Sequence, residues 1–229
     1  MSRDIASHRL HAELIGQPGS RDWLNTPALI LDLAAFERNV ARMADFARKH
    51  GLARASMAWP CDRTPNRIRA PTSRARRSRQ ARWGCVAPSW ARPRRSPPVG
   101  SCIFMDREYA ECDLDGGGAM PFETALLVDA RVISANAIGL ITIDAGLKAF
   151  ATDAGPATII AGAGDDARYQ FMGDEHGAVM GTDLPGLGAR ITLGTPHCDP
   201  TVNLYDAYHV INGEDLAAIW PVTARGRSA

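Results

Sequence analysis

An arginine-rich stretch in the middle of this 229-residue chain restricts its folding more than any other feature. Residues 60–99 contain eleven arginines and one aspartate, several prolines and serines, and no leucine, lysine or glutamate. No apolar period of two or of 3.6 residues runs through them, so they offer a core neither a strand face nor a helix face. We therefore expect an N-terminal region over residues 1–57, a disordered region over 58–99 and a C-terminal domain over 100–229.

The charge balance supports this division of the chain. Of the 26 basic and 25 acidic residues, eleven arginines and one aspartate fall in the stretch, which leaves 15 basic and 24 acidic residues elsewhere. One interpretation of the stretch is a disordered basic linker. Another is a nucleic-acid-binding arm, because arginine neutralises phosphate and Trp83 and Trp90 could stack on bases.

Other composition features narrow the class of protein. No apolar run is long enough to cross a bilayer, and the N-terminus lacks the basic-then-apolar layout of a signal peptide. We therefore expect a cytoplasmic protein that does not enter a membrane. The five cysteines are odd in number and have no paired spacing, which argues against both a disulfide framework and a zinc ribbon.

The two flanking regions have regular apolar patterns. Residues 28–33 (ALILDL) form an apolar run suited to a buried strand, and an amphipathic helix follows, with Gly51 placed to end it. A strand followed by a helix is typical of the opening of a parallel α/β structure. The C-terminal region predicts an all-β domain from short apolar runs bounded by turn signals. These runs are residues 125–132, 138–143, 158–161, 189–193, 208–211 and 218–222.

The residues with the clearest chemical potential lie in the stretch 195–204 (TPHCDPTVNL). His197 and Asp199 are two positions apart after an apolar run. If the strand continues, they project to the same side, and an imidazole and a carboxylate could share one cation. A hydrogen-bonded pair without a metal is the alternative interpretation of the same spacing.

This stretch is one of six blocks through which the chain resembles the D-threonine aldolase and D-serine dehydratase-like family, in the order found there. The blocks are residues 26–39, 100–106, 144–149, 173–177, 195–204 and 220–227. The resemblance implies an α+β fold with two parts. The first is the opening βα unit of an alanine-racemase-like TIM barrel, which carries pyridoxal phosphate in the family. The second is a C-terminal all-β domain that supplies a metal site.

The resemblance also implies a reaction, a lyase reaction on a small D-amino acid that requires pyridoxal phosphate and a divalent metal. Aldolases of the family cleave D-β-hydroxy amino acids to glycine and an aldehyde, whereas dehydratases such as D-serine ammonia-lyase eliminate water. The metal ligands carry over to His197 and Asp199, and Asp144 is placed near the active site as a catalytic candidate. Dehydratases have a cysteine as the second ligand. A carboxylate suits manganese or magnesium better than zinc, and this favours the aldolase branch.

A lysine that the resemblance requires is missing. The family holds its cofactor on a lysine soon after the first helix, in a block that reads roughly Arg-Pro-His-x-Lys-x-His. The only lysines here are Lys49 and Lys148. When plausible codons for residues 57–100 are read two bases later, they yield Arg-Pro-His-Ala-Lys-Ser-His, with the lysine codon straddling Pro65 and Asn66. A frame shift explains the arginines without a nucleic-acid partner, and we expect none.

The barrel is also too short. Most of its later βα units have no counterpart before residue 100, although a TIM barrel typically takes about 250 residues. Even the retained half departs from the family, which is expected to have a tyrosine where this chain has Cys102. We therefore expect a truncated family member that is inactive as a pyridoxal-phosphate lyase. The alternative is a non-catalytic, metal-binding β domain, and the sequence leaves the oligomeric state open.

Overall fold

The computed structural model describes residues 10–49, 103–110 and 121–226. The arginine-rich stretch, Gly51 and Cys102 lie outside the described residues, so the predictions of a disordered region and of a frame shift are not addressed by the structure. Within the described residues there are nine strands and three helices, together with two short 3-10 turns near the N-terminus.

The strands account for most of the regular secondary structure. They are β1 (Ala28–Asp32), β2 (Leu126–Ala137), β3 (Leu140–Ile143), β4 (Thr158–Ala161), β5 (Arg168–Phe171), β6 (Gly177–Met180), β7 (Arg190–Gly194), β8 (Ala207–Asn212) and β9 (Asp215–Pro221). The helices are α1 (Leu33–Lys49), α2 (Arg107–Ala110) and α3 (Cys198–Val202). This mixed content, with a β-sheet domain and few helices, confirms the predicted α+β class. The predicted apolar runs correspond to β2, β3, β4, β7, β8 and β9.

The long strand β2 organises the sheet. Its first half pairs antiparallel with β1 on one side and with β7 on the other, whereas its second half pairs with β3 after shifts in register. The sheet runs in the order β5-β6-β3-β2-β1-β8-β9, and β4 extends it from the free side of β7. Because β2 takes part in both halves, the sheet wraps around one main apolar core.

Strand β1 lies inside the sheet that the C-terminal region forms. It pairs antiparallel with β2 and parallel with β8, so neither of its edges is open. Its side chains alternate as the two-residue period of a strand requires: Leu29 and Leu31 enter the main core, while Ala28 and Ile30 enter a second cluster. The sequence predicted the strand and the helix after it. It did not predict these partners, since a local pattern carries no information about pairing.

Helix α1 begins at a cap and lies against the other described segments. The carboxylate of Asp32 accepts the amide hydrogen of Ala35 at 3.0 Å, which satisfies a free amide of the first turn. The fully buried Asn39 donates to the carbonyls of Ile103 and Glu123 and accepts the amide hydrogen of Glu123. Asn39 therefore fixes the helix to residues 103–110 and to the entrance of β2.

Aromatic rings fill the main core between the two halves of the sheet. Phe150 makes edge contacts with Tyr169 and Phe171, and Phe104 stacks on Tyr208 with ring centroids 6.2 Å apart. None of the helices among the described residues is long and apolar enough to cross a membrane.

Candidate metal site at the end of strand β7

Two loops face each other beside the main core, and both contain predicted site residues. Loop 144–157 follows β3, and loop 195–206 follows β7 and includes α3. The hydroxyl of Tyr205 donates to the carbonyl of Ala149 at 2.9 Å. The amide of Ala151 donates to the buried hydroxyl of Thr201 at 3.0 Å. Loop 144–157 is therefore held on loop 195–206 by two hydrogen bonds, one of them to α3.

Residues 103–110 form the third side of this region. The carboxylate of Asp106, which is only 1% exposed, accepts the amide hydrogen of Cys198 at 2.8 Å. The amide of Arg107 donates to the carbonyl of Thr195, and its guanidinium donates to the carbonyl of Pro156. Arg107 therefore contacts both loops, and Asp106 fixes the first residue of α3.

His197 lies at the junction of β7 and α3. Its backbone is extended, and its ring nitrogen Nδ1 is 2.6 Å from the carboxylate oxygen Oδ2 of Asp153. A carboxylate only accepts hydrogen bonds, so Nδ1 of His197 is the donor in this contact. The hydrogen bond from His197 holds the pKa of Asp153 below its usual range. His197 thus joins the two loops through a contact that the sequence did not indicate.

Asp199 occupies the first turn of α3 with its side chain exposed. The argument that placed His197 and Asp199 on one side assumed a continuing strand, and the structure contradicts that assumption. The chain turns into a helix at Cys198, where neighbouring residues are about 100° apart around the axis. A shared cation at these two residues therefore stays a prediction. Among the described residues, no group of three or more His, Cys, Asp or Glu side chains is arranged to hold a metal.

Cys198, between these two residues, faces the core. It is fully buried, and its sulfur lies 3.6 Å from the hydroxyl of Thr195. Burial, reinforced by the nearby carboxylate of Asp106, raises the pKa of the Cys198 thiol well above its ordinary value. Metals bind the thiolate form, so Cys198 is poorly suited to be a ligand.

Asp144 connects two of the blocks that carry the family resemblance. Its carboxylate accepts a hydrogen bond from the hydroxyl of Thr26 and another from the amide of Arg131 at 2.8 Å. The first of these bonds ties the N-terminal segment to the end of β3. Burial raises the pKa of the nearby Tyr205, and the charge of Asp144 adds to the shift. These contacts describe a junction between segments, and a catalytic role for Asp144 stays a prediction.

The blocks 144–149 and 173–177 lie side by side. The amides of Leu147 and Lys148 donate to the carbonyls of Gly173 and Asp174, at 3.0 and 2.8 Å. The ammonium of Lys148 lies 2.8 Å from a carboxylate oxygen of Glu175 on the exposed surface. These two blocks are separate in the sequence and are in direct contact in the fold.

Neither lysine of the chain suits the attachment of pyridoxal phosphate. A Schiff base requires an unprotonated amine. The hydrogen bond to Glu175 raises the pKa of Lys148, which stabilises its charged form. Lys49 is exposed in the last turn of α1. The described residues therefore do not fit this cofactor.

A family model matches a part of the chain that contains three of the six blocks, 144–149, 173–177 and 195–204. Residues 125–211 match the family described as putative serine dehydratase domain. The chain is 39% identical over 133 residues to a D-threonine aldolase of Arthrobacter sp., a match that covers 57% of this chain and 34% of the relative. The family resemblance is confirmed.

Two further matches give the same picture. The chain is 34% identical over 132 residues to a 3-hydroxy-D-aspartate aldolase of Paracoccus denitrificans, covering 56% of this chain and 34% of the relative. The crystal structure of D-threonine aldolase from Filomicrobium marinum matches with a TM-score of 0.52 and 34% identity, over 58% of this chain and 36% of that one. The chain spans about a third of the length of the curated relatives that it matches.

Proposed function

We propose that the described residues are the metal-binding β domain of a lyase for D-β-hydroxy amino acids, with His197 and Asp199 as ligands and Asp144 near the active site. The observation that carries the proposal is the contact between His197 and Asp153, which orients the imidazole at the end of β7. The names of the relatives, two aldolases for D-configured hydroxy amino acids, support the substrate class.

The donor chemistry fits a hard divalent cation. A neutral imidazole whose Nδ1 proton is held by a carboxylate is the usual form of a metal-binding histidine. The exposed carboxylate of Asp199 supplies an oxygen donor, which suits manganese or magnesium. Two protein ligands leave coordination positions for water and for a substrate hydroxyl. A divalent ion bound there would orient that hydroxyl and make it more acidic.

Aldol cleavage is the reaction proposed for the type of lyase to which this domain would belong, and dehydration is the second candidate. The observation that favours cleavage is the position of Cys198 in the core, which leaves the carboxylate of Asp199 as the exposed donor of this motif. A thiolate ligand would favour the dehydratase branch.

We further propose that the chain in this form does not catalyse pyridoxal-phosphate chemistry, because neither Lys49 nor Lys148 suits the cofactor. Purified full-length chain should be incubated with pyridoxal phosphate, reduced with borohydride and examined by mass spectrometry for a modified lysine. In parallel, glycine release from D-threonine should be measured with manganese present. We expect neither a stoichiometric modification nor glycine, and either result would overturn this proposal.

Manganese binding tests the metal site itself. Titration of the full chain, followed by the loss of the electron paramagnetic resonance signal of free Mn²⁺, should show a site that is lost in His197→Ala and in Asp199→Ala. His176→Ala is the matched control, because His176 is exposed in the loop 173–177. Binding that survives His197→Ala, or that is lost equally in His176→Ala, would contradict the proposed ligands. Binding without any glycine release is the result that both proposals predict.

A further inference from the structure

We infer that Asn212 is a site of spontaneous modification, at which deamidation introduces an aspartate or an isoaspartate next to the turn between β8 and β9. Asn212 is followed by Gly213, and this is the only Asn-Gly pair in the sequence. Asparagine is one of the thermally labile residues of proteins. Glycine has no side chain that would shield its amide from the neighbouring carboxamide. The site lies apart from the proposed metal site and does not depend on it.

The turn itself is open to solvent. Asn212 and Asp215 are paired across the hairpin, so Gly213 and Glu214 alone connect β8 with β9. Gly213 has a φ of +64°, the left-handed conformation that glycine adopts without strain. A Cβ at Gly213 would have nothing within 4 Å, and residues 212–215 are all exposed. Water therefore reaches the place where the reaction would occur.

No hydrogen bond within the described part of the chain holds the two reacting groups. The carboxamide of Asn212 and the amide of Gly213 both lack a partner there. Other asparagines are held differently. The buried Asn39 makes three hydrogen bonds, and the side-chain oxygen of Asn203 accepts the amide hydrogen of Gly226. The carboxamide of Asn212 is therefore free to rotate toward the following amide.

The reaction requires only water and the chain itself. The amide nitrogen of Gly213 gives its proton to a base from the solvent, forms a bond to Cγ of Asn212 and displaces the carboxamide nitrogen, which takes up a proton and leaves as ammonia. Water then opens the cyclic imide at either of its carbonyls. Opening at one carbonyl gives aspartate, and opening at the other gives isoaspartate, in which the backbone runs through the former side chain.

Either product weakens the hairpin. Aspartate at this position places a carboxylate directly across from Asp215, and like charges on paired residues of neighbouring strands repel each other. Isoaspartate lengthens the backbone beside the turn, and the register of a hairpin depends on the length and type of its turn. The pairing of Asn212 with Asp215 is therefore lost in the isoaspartate form.

The N-terminal segment depends on the same turn. The carboxylate of Asp215 accepts the amide hydrogen of Gly19 at 2.7 Å, and the carbonyl of Glu214 accepts that of Arg21 at 3.0 Å. Both acceptors belong to the residues that follow the modified position. Deamidation of Asn212 should therefore loosen residues 19–21 as well as the hairpin.

The first test measures the rate of modification in the purified full chain. The protein is incubated at mildly alkaline pH, and isoaspartate and aspartate are located by peptide mass spectrometry at successive times. Asn136 is the internal control, because it is exposed in the hairpin of β2 and β3 and is followed by alanine. We expect modification of Asn212 to be at least about tenfold faster than that of Asn136, the ratio that a barrier difference of about 1.4 kcal/mol produces.

The same incubation in urea separates the effect of the fold from that of the sequence. Because the turn is exposed and its amide is free, the rate in the folded chain should stay within about tenfold of the rate in the unfolded chain. A larger decrease on folding means that the hairpin protects Asn212 and overturns the inference. Equal rates at Asn212 and Asn136 in the folded chain overturn it too.

The second test measures the consequence for the hairpin. Asn212→Asp should lower the urea midpoint, and added salt should reduce this effect, because salt screens exposed charges. Asn136→Asp is the matched control, since the facing strand β3 (LITI) has no acidic residue. Hydrogen exchange at the amides of Gly19 and Arg21 should be faster in Asn212→Asp than in the control, and faster still in the isolated isoaspartate form. Equal midpoints and equal exchange in the two variants would contradict the proposed link between the turn and the N-terminal segment.

Discussion

At Gly177, three segments of the chain approach so closely that a side chain does not fit. A Cβ on this residue would lie 2.3 Å from Cε2 of Tyr169 and 2.4 Å from the carbonyl oxygen of Ala145. These two groups are themselves joined, because the buried hydroxyl of Tyr169 donates to the carbonyl of Ala145 at 2.9 Å. The requirement for glycine at the end of the block 173–177 therefore has a structural cause that is independent of catalysis.

We expect Gly177→Ala to lower the free energy of unfolding by about 1–3 kcal/mol, the usual cost of overpacking a rigid site. Urea denaturation would show this as a lower midpoint with an unchanged slope. Gly186→Ala is the control, because a Cβ there has nothing within 4 Å, and its effect should stay within about 0.5 kcal/mol. Equal midpoints for the two variants would show that the contact relaxes without cost.

Two histidines from near the two ends of the sequence, His11 and His209, lie in contact beside β1. The ring nitrogens His11 Nδ1 and His209 Nε2 are 3.1 Å apart, and His11 Nε2 accepts the amide hydrogen of Asn25. Burial, together with the neighbouring His11, lowers the pKa of His209 to about 4, although the carbonyl of Leu29 and the charge of Asp129 oppose the shift. The folded chain therefore holds His209 neutral under conditions in which the unfolded chain would protonate it.

This difference makes stability depend on pH in a defined window. An unfolded histidine has a pKa of about 6.5, so the unfolded state binds the proton first as the pH falls. The free energy of unfolding should decrease between about pH 6.5 and pH 4, by up to about 3 kcal/mol from His209. Urea denaturation across this range should show the slope, and His209→Gln should remove most of it. A slope that persists in the variant would assign it to other groups.

At the scale of elements, the strands that the sequence missed differ from those that it predicted. Strand β5 alternates exposed Arg168 and Gln170 with the buried ring of Tyr169, so it contains no apolar run. Strand β6 is four residues long and begins at a glycine. An apolar run identifies a strand when most of its residues are apolar, whereas the edge strand β5 buries mainly its second residue. Strand β6 is buried between β3 and β5, but its apolar run is too short to predict a strand by itself.

The same distinction applies to the candidate site. The spacing of His197 and Asp199 was visible in the sequence, but the start of α3 between them was not, because the five residues 196–200 include two prolines and show no helical periodicity. Asp153 gave no signal at all. Its contact with His197 depends on the bond between Ala151 and Thr201, which only the packing of loop 144–157 on α3 produces.

The position of helix α1 depends on one buried amide. Asn39 makes three hydrogen bonds to the backbone of Ile103 and Glu123. In Asn39→Ala these backbone groups lose their partners, and we expect a loss of about 2–4 kcal/mol in the free energy of unfolding. Glu37→Ala, on the exposed face of the same helix, is the control and should change little. Chemical denaturation followed by circular dichroism would measure both, and a negligible effect of Asn39→Ala would mean that water replaces the amide.

At the scale of the whole molecule, the N-terminal segment and the C-terminal strands form one structure. The amide of Gly16 donates to the carbonyl of Leu216, and the amide of Leu216 donates to the hydroxyl of Ser20. The guanidinium of Arg21 forms two hydrogen bonds, of 2.7 and 2.9 Å, with the carboxylate of Asp129, which is 1% exposed. Removing one partner of such a buried pair typically costs about 3–5 kcal/mol, because the other charge stays buried.

These contacts lead to a prediction about the smallest unit that folds. A chain that starts at residue 100 lacks β1, so β2 and β8 each gain an open edge, the core loses Leu29 and Leu31, and Asp129 loses Arg21. We expect this fragment to be without a cooperative unfolding transition, and we expect a peptide of residues 10–49 added in trans to restore one. The same peptide carrying Leu29→Asp and Leu31→Asp is the control and should fail, because it places two charges in the core. If the fragment alone unfolds cooperatively with dispersed amide resonances, the sheet closes without β1 and the C-terminal region is an independent domain.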